Sequence, residues 1–86
     1  MNPRVSTVTP LDKFRLRIVF TNGEQRIFDV SPYLGYPAFR RLANPGYFAL
    51  AKPGHGTVAW PDDIDICPDT LYMESVCEDQ EPYGSN

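Results

Sequence analysis

Arginine is the residue type in this chain with the most obvious chemical use. Arg15, Arg17, Arg26, Arg40 and Arg41 all lie in its first half. Guanidinium groups at this density can hold phosphate or carboxylate, or stack on aromatic rings. Lys13, Arg15 and Arg17 alternate along one expected strand, Arg26 lies on its expected partner, and Arg40-Arg41 lies on an expected helix. Residues 1–41 carry seven Lys/Arg and three Asp/Glu, net +4, while residues 42–86 carry one Lys and eight Asp/Glu, net −7, which together give −3. Such a division can make a basic face for nucleic acid through Arg15, Arg17 and Arg26. The acidic total and the lack of a nucleic-acid motif weigh against that use. The favoured reading is a solvated sheet face that pairs with the acidic half, within one molecule or head-to-tail between two.

The acidic half clusters Asp62, Asp63, Asp65 and Asp69. Carboxylates this close can hold a hard cation. The spacing is not an EF-hand, and the glycine such a loop needs is missing. Asp62 and Asp63 suit a turn, and Asp69 suits the first turn of a helix. A metal-dependent enzyme built on residues 62–69 is therefore the weakest reading.

Cys67 and Cys77 stand ten positions apart, and the lone His55 lies elsewhere. They form neither a metal knuckle nor a disulfide framework and are expected as reduced thiols, at least one of them partly buried. Ser31 has no base near it and reads as a helix cap. Gly54-His55-Gly56 is too short for a phosphate loop. No catalytic residue, cofactor or metal ligand set is expected, and the chain reads as a non-enzyme. Tyr33, Tyr36, Phe39, Tyr47, Phe48, Trp60 and Tyr72 are expected to fill the core, with Tyr36 and Tyr47 as candidates for an exposed interface anchor.

The elements that position these residues follow from local pattern. Residues 4–9 read as a first strand. Residues 13–20 are the clearest strand, with Phe14, Leu16, Ile18 and Phe20 on one face and the basic residues on the other. Asn22-Gly23 marks a hairpin turn, and residues 24–30 return. A three-residue loop with a glycine bulge pairs Leu16 with Phe28, Phe14 with Val30 and Arg15 with Asp29. This register keeps the best apolar pairs together.

Ser31-Pro32 starts one helical turn, with Ser31 as its cap. Pro37 starts a helix through Leu42, placing Phe39 and Leu42 on one face. Asn44-Pro45-Gly46 stops it. Residues 47–51 read as a strand, 53–56 as a turn, 57–60 as a strand and 64–66 as an extended segment. Pro68 opens a last helix of about two turns, with Leu71, Tyr72 and Val76 available for packing.

The fold class is α+β: a small, mostly antiparallel sheet with an N-terminal β-hairpin and two short helices packed on it. At 86 residues there is room for one domain, expected over residues 1–77, with residues 78–86 an acidic tail. No apolar run approaches the ~20 residues of a membrane span. The N-terminus lacks a signal-peptide pattern, so a cytoplasmic protein is expected.

Two stretches together resemble a known family. One is Leu16-Arg17-Ile18-Val19-Phe20-Thr21-Asn22-Gly23-Glu24, continuing to Phe28-Asp29-Val30-Ser31-Pro32-Tyr33-Leu34. The other runs from Gly56-Thr57-Val58-Ala59-Trp60-Pro61-Asp62-Asp63-Ile64-Asp65-Ile66 to Pro68-Asp69-Thr70-Leu71-Tyr72, with Phe39-Arg40-Arg41-Leu42 and Phe48 between. In this order they are similar to the small bacterial "domain of unknown function 2442" family, over residues 5–74. The resemblance implies a compact α+β domain with no assigned reaction. It also implies a gene beside another small uncharacterised one, an arrangement of the toxin–antitoxin kind. The leading expectation is a protein-interaction or regulatory module, the antitoxin-like half of such a pair. Its partner is expected to be another small protein from a neighbouring gene, or a second copy.

Overall fold

The computed structural model of the chain describes residues 3–77. Strands β1 (Val5–Leu11), β2 (Arg15–Phe20) and β3 (Gln25–Asp29) form an antiparallel meander. Strand β4 (Lys52–Gly54), β5 (Thr57–Trp60) and β6 (Ile64–Asp65) form a second, three-stranded sheet. Two α-helices complete the set, α1 (Pro45–Phe48) and α2 (Pro68–Glu74). Strand β7 (Val76–Cys77) closes the first sheet in the order β1-β2-β3-β7. Three 3₁₀ segments connect them: Asp12–Phe14, Ser31–Tyr33 and Pro37–Ala43. The architecture is α+β with an N-terminal hairpin, as the sequence implies, but its strands divide between two sheets. Among the described residues no helix is long and apolar enough to cross a membrane.

The hairpin adopts the bulged register. Gly23 takes φ +92°, and its N–H donates to Phe20 O at 2.9 Å. Phe20 N–H donates to Glu24 O at 2.9 Å. Leu16 then faces Phe28 and Arg15 faces Asp29. Residues opposite one another share a face, so Leu16, Ile18, Phe20 and Phe28 all point into the core. Val30, Leu42, Phe48, Val58, Trp60, Ile66 and Leu71 meet them there. Each such side chain contributes about 1.5–3 kcal/mol on burial. Trp60 Nε1 donates to Phe48 O at 3.0 Å, so the largest ring of the core leaves no polar atom unpaired and ties β5 to α1. Buried Thr57 donates to Ile66 O at 2.6 Å, fixing the approach to α2.

Several elements differ from their local reading. The second strand begins at Arg15, because Lys13 and Phe14 take φ 62° and 59° and turn the chain out of β1. β1 itself runs through Pro10, which an edge strand tolerates. Ser31 is not a cap. Val30 holds the cap position, and the Asp29 carboxylate accepts both the Ser31 N–H, at 2.9 Å, and the Ser31 hydroxyl, at 2.7 Å. Residues 47–51 are not a strand. Asn44 accepts N–H bonds from Gly46 and Tyr47 at 2.9 and 3.2 Å and starts α1, with Pro45 at the first helical position. Asn-Pro-Gly thus stops the Pro37–Ala43 segment as expected and also opens the next helix, because the Asn44 side-chain oxygen caps it. Val76 does not pack on the last helix but pairs with Ile27 and is 46% exposed. The expected tail, residues 78–86, lies outside the described residues.

Leu42 has no exposed surface and hangs from a segment with few other core contacts. Leu42→Ala is expected to cost about 2–5 kcal/mol, and each kcal/mol lowers Tm by roughly 4–8 °C in a domain of this size. Thermal unfolding followed by circular dichroism measures it. A fall of only a degree or two would place Leu42 outside the core.

Candidate interaction surfaces

The structure does not gather the five arginines on one face. Arg15 and Arg17 lie on the outer face of β2, with Thr7, Thr9, Val19, Ile27 and Asp29 around them. None of these residues belongs to the main core cluster, although Ile27 is itself buried. Arg15 Nε reaches Asp12 O at 3.4 Å. Arg40 and Arg41 are exposed on the Pro37–Ala43 segment, and Arg41 pairs with the Asp62 carboxylate. Both partners of that pair are more than half exposed, so it contributes little stability. It does join the basic half of the chain to the acidic half.

Arg26 points the other way. It sits opposite Ile18, on the core side of the sheet. The bulged register already requires this, and grouping Arg26 with Arg15 and Arg17 by residue type is the error it corrects. Its guanidinium is only 17% exposed. Nε donates to Glu24 Oε1 at 2.7 Å, and NH1 donates to Ser75 O at 3.0 Å and Tyr72 O at 3.4 Å. The guanidinium carbon stands 4.2 Å from the Tyr72 ring centre. Tyr72 in turn donates to Glu24 Oε2 at 2.8 Å. A cation among the last carbonyls of a helix meets their unpaired oxygens and the negative end of the dipole. Burial works against the charge of Arg26, but its bonds to Glu24 and Tyr72 outweigh burial and hold its pKa above the ordinary value. Arg26 is a clamp between hairpin and α2.

The aspartates are also dispersed. Asp62 and Asp63 take φ 67° and 63° in the turn after β5, a conformation that Asp tolerates better than most residues. Asp65 lies in β6 and Asp69 in the first turn of α2. Among the described residues, no group of three or more His, Cys, Asp or Glu is placed to hold a metal ion. His55, at φ 53°, and Gly56, at φ 80°, form the two-residue turn between β4 and β5.

One concave feature of the structure is lined mainly by aromatic and aliphatic side chains. A cavity of about 210 Å³ opens between the end of β3, the two 3₁₀ segments that follow, and the start of α2. Its floor is Phe28, Val30 and Ile66, all buried. Its walls are Tyr33, Tyr36 and Phe39, and its mouth carries Cys67 and Thr70. Tyr36 N–H donates to Tyr33 O at 3.1 Å, and Phe39 N–H to Tyr36 O at 2.9 Å. Tyr36 itself is extended between the two segments, at φ −78° and ψ 138°, and the rings of Tyr36 and Phe39 both come against Tyr33. Tyr33 stacks on Phe28 at 5.7 Å and 20°. Tyr36 and Phe39 stand nearly perpendicular to it, at 80° and 81°. Burial raises the Tyr33 pKa, with the Glu74 carboxylate adding to it. Cys67, at the start of α2, closes no formal cap bond, yet the backbone N–H groups of Thr70 and Asp69 draw its pKa down.

Two solution measurements follow. The bond from Arg26, then that from Tyr72, holds the Glu24 carboxyl below its ordinary 4.5. A lowered folded-state pKa means that the clamp contributes fully above the ordinary glutamate range and is lost as pH falls through the lowered value. Tm should therefore fall less steeply across that acid window for Glu24→Gln than for the native chain, with the two converging at low pH. Parallel curves would mean that Glu24 is not coupled to folding. Second, exposed Cys67 should alkylate with iodoacetamide before half-buried Cys77, at a pH below that of a free thiol. Peptide mass spectrometry assigns the order, and faster labelling of Cys77 would contradict it.

Comparison with protein families matches residues 5–76 to the family described as protein of unknown function (DUF2442). No curated protein and no solved structure matches the chain. The match covers both sheets and both helices, with the hairpin, the aromatic walls and the mouth of the cavity inside it. This chain belongs to the DUF2442 family.

Proposed function

We propose that this domain is a protein-interaction module that binds its partner over the aromatic cavity. One observation carries the reading: Tyr36 is 56% exposed on the wall of a concave site whose floor is fully apolar. An exposed tyrosine beside an apolar pocket suits an interface anchor, since tyrosine is enriched among residues that dominate binding. The surface continues along α2, where Thr70, Met73 and Glu74 lie on one side at helical spacing. Met73 is 74% exposed and adds an adaptable apolar contact.

In this reading the domain acts by binding rather than by catalysis. Its partner is a second small protein, and the sharper form of the reading is the antitoxin-like half of a two-gene pair. That form rests on the gene arrangement implied by the family resemblance. A cytoplasmic setting goes with it, in which the free thiols Cys67 and Cys77 stay reduced. Nucleic-acid binding is the lesser reading, because only Arg15 and Arg17 of its three arginines share a face.

The test is co-expression with the product of the adjacent gene. Tagged native domain should retain that protein through purification, and Tyr36→Ala should lose it while keeping its Tm. Failure of the native domain to retain it would remove the two-gene reading. Retention unaffected by Tyr36→Ala would move the interface away from the cavity.

A further inference from the structure

We propose that Asn22-Gly23 is a site of covalent modification by deamidation, which the folded turn holds back and Glu24 latches. It needs no partner protein. The Gly23 backbone nitrogen attacks Asn22 Cγ, and the new N–Cγ bond closes a succinimide ring. The Cγ–Nδ2 bond breaks, and the Gly23 amide proton leaves with the amino group as ammonia. Water then opens the ring at one of its two carbonyls. Opening at Cγ leaves aspartate. Opening at the backbone carbonyl leaves isoaspartate, with the main chain running through Cβ.

The sequence selects this position. Asn2 and Asn44 precede Pro3 and Pro45, whose nitrogens carry no proton to lose. Gly23 has that proton and no Cβ to crowd the attack. Asn22 and Gly23 are both exposed, so water reaches them.

Folding opposes the ring closure. Gly23 N–H donates to Phe20 O at 2.9 Å, and closure destroys both that bond and its donor. The Asn22 side chain is held at both of its polar atoms. Nδ2 donates to Glu24 Oε2 at 3.0 Å, and Oδ1 accepts the Glu24 N–H at 3.0 Å. The reaction therefore proceeds from the opened turn. Glu24 ties that opening to a distant element. Its Oε2 also accepts the Tyr72 hydroxyl of α2 at 2.8 Å, and its Oε1 accepts Arg26 Nε at 2.7 Å. The carboxylate that holds the Asn22 amide is thus itself held by the clamp. Both products add a negative charge beside Glu24. Isoaspartate also adds a carbon to the main chain of a turn whose closing bonds fix the register. Once modified, the turn no longer has the geometry that protected it.

The experiment follows the native chain, folded and unfolded in guanidinium chloride, at one mildly alkaline pH and one temperature well below every Tm. Mass spectrometry of the tryptic peptide of residues 18–26 reads the conversion. The folded chain should convert at least about tenfold more slowly than the unfolded one. Folded Glu24→Ala should convert severalfold faster than the native chain, and Tyr72→Phe, which loosens Glu24 without removing it, should lie between. Leu42→Ala, destabilised elsewhere, should stay near the native rate. Equal rates in the folded and unfolded native chain would overturn the proposal, as would conversion of the unfolded chain that spares Asn22. Equal acceleration by Glu24→Ala and Leu42→Ala, or none by either Glu24→Ala or Tyr72→Phe, would remove Glu24 as the latch.

Discussion

The turn at Asn22-Gly23 decides which way every side chain of the first sheet points. Gly23 holds φ +92° with open space where a Cβ would sit, so the demand there is conformational and not steric. With that turn closed, Leu16 must face Phe28 and Ile18 must face Arg26. A slip of one residue would send Leu16 against Asp29 and the apolar set toward solvent. The inward position of Arg26 is thus a consequence of the register that builds the core. A charge placed there has to be met, because an unpaired buried guanidinium is among the costlier defects a small domain can carry. Glu24 meets it from beside the turn, and the end of α2 meets it from across the molecule.

Proline governs the rest of the chain in a similar way. Pro32, Pro37, Pro45 and Pro68 each stand at the start of a helical segment. Proline suits that position because it has no N–H to lose and its φ is already set. Restarts this frequent keep the segments short, and two of them settle as 3₁₀ turns. The break between them matters for the cavity. Tyr33 ends the first segment, Phe39 lies in the second, and Tyr36 is extended between the two. The rings of Tyr36 and Phe39 come against Tyr33 across that break.

The hairpin was legible from residues alone, since alternation and turn chemistry are both local. The start of the last helix was legible for the same reason, from Pro68 and Asp69. What stayed hidden depended on distant partners. Asn44-Pro45-Gly46 ends one segment and begins the next, and only the first of these was read locally; the helix that follows goes with Phe48 settling against Trp60. Strand β7 is two residues long and pairs with residues about fifty positions earlier, so no local pattern marks it. Arg26 was misplaced by residue type although the register already contradicted it. Tyr36 was singled out with Tyr47 rather than with Tyr33 and Phe39, because a cavity arises from how α2 lies against the turns, and no spacing within one segment records that.

The bonds from Arg26 to Tyr72 and Ser75 span 46 and 49 positions. That separation sets an order of events as the chain is made. The hairpin can form early from neighbouring residues, and Glu24 is within reach of Arg26 from the beginning. The carbonyls that complete the site emerge from the ribosome 46 and 49 residues after Arg26. Until they arrive, the core face of the hairpin carries a guanidinium that resists being covered. The charge on that face is fully met only when the end of α2 has docked beside it.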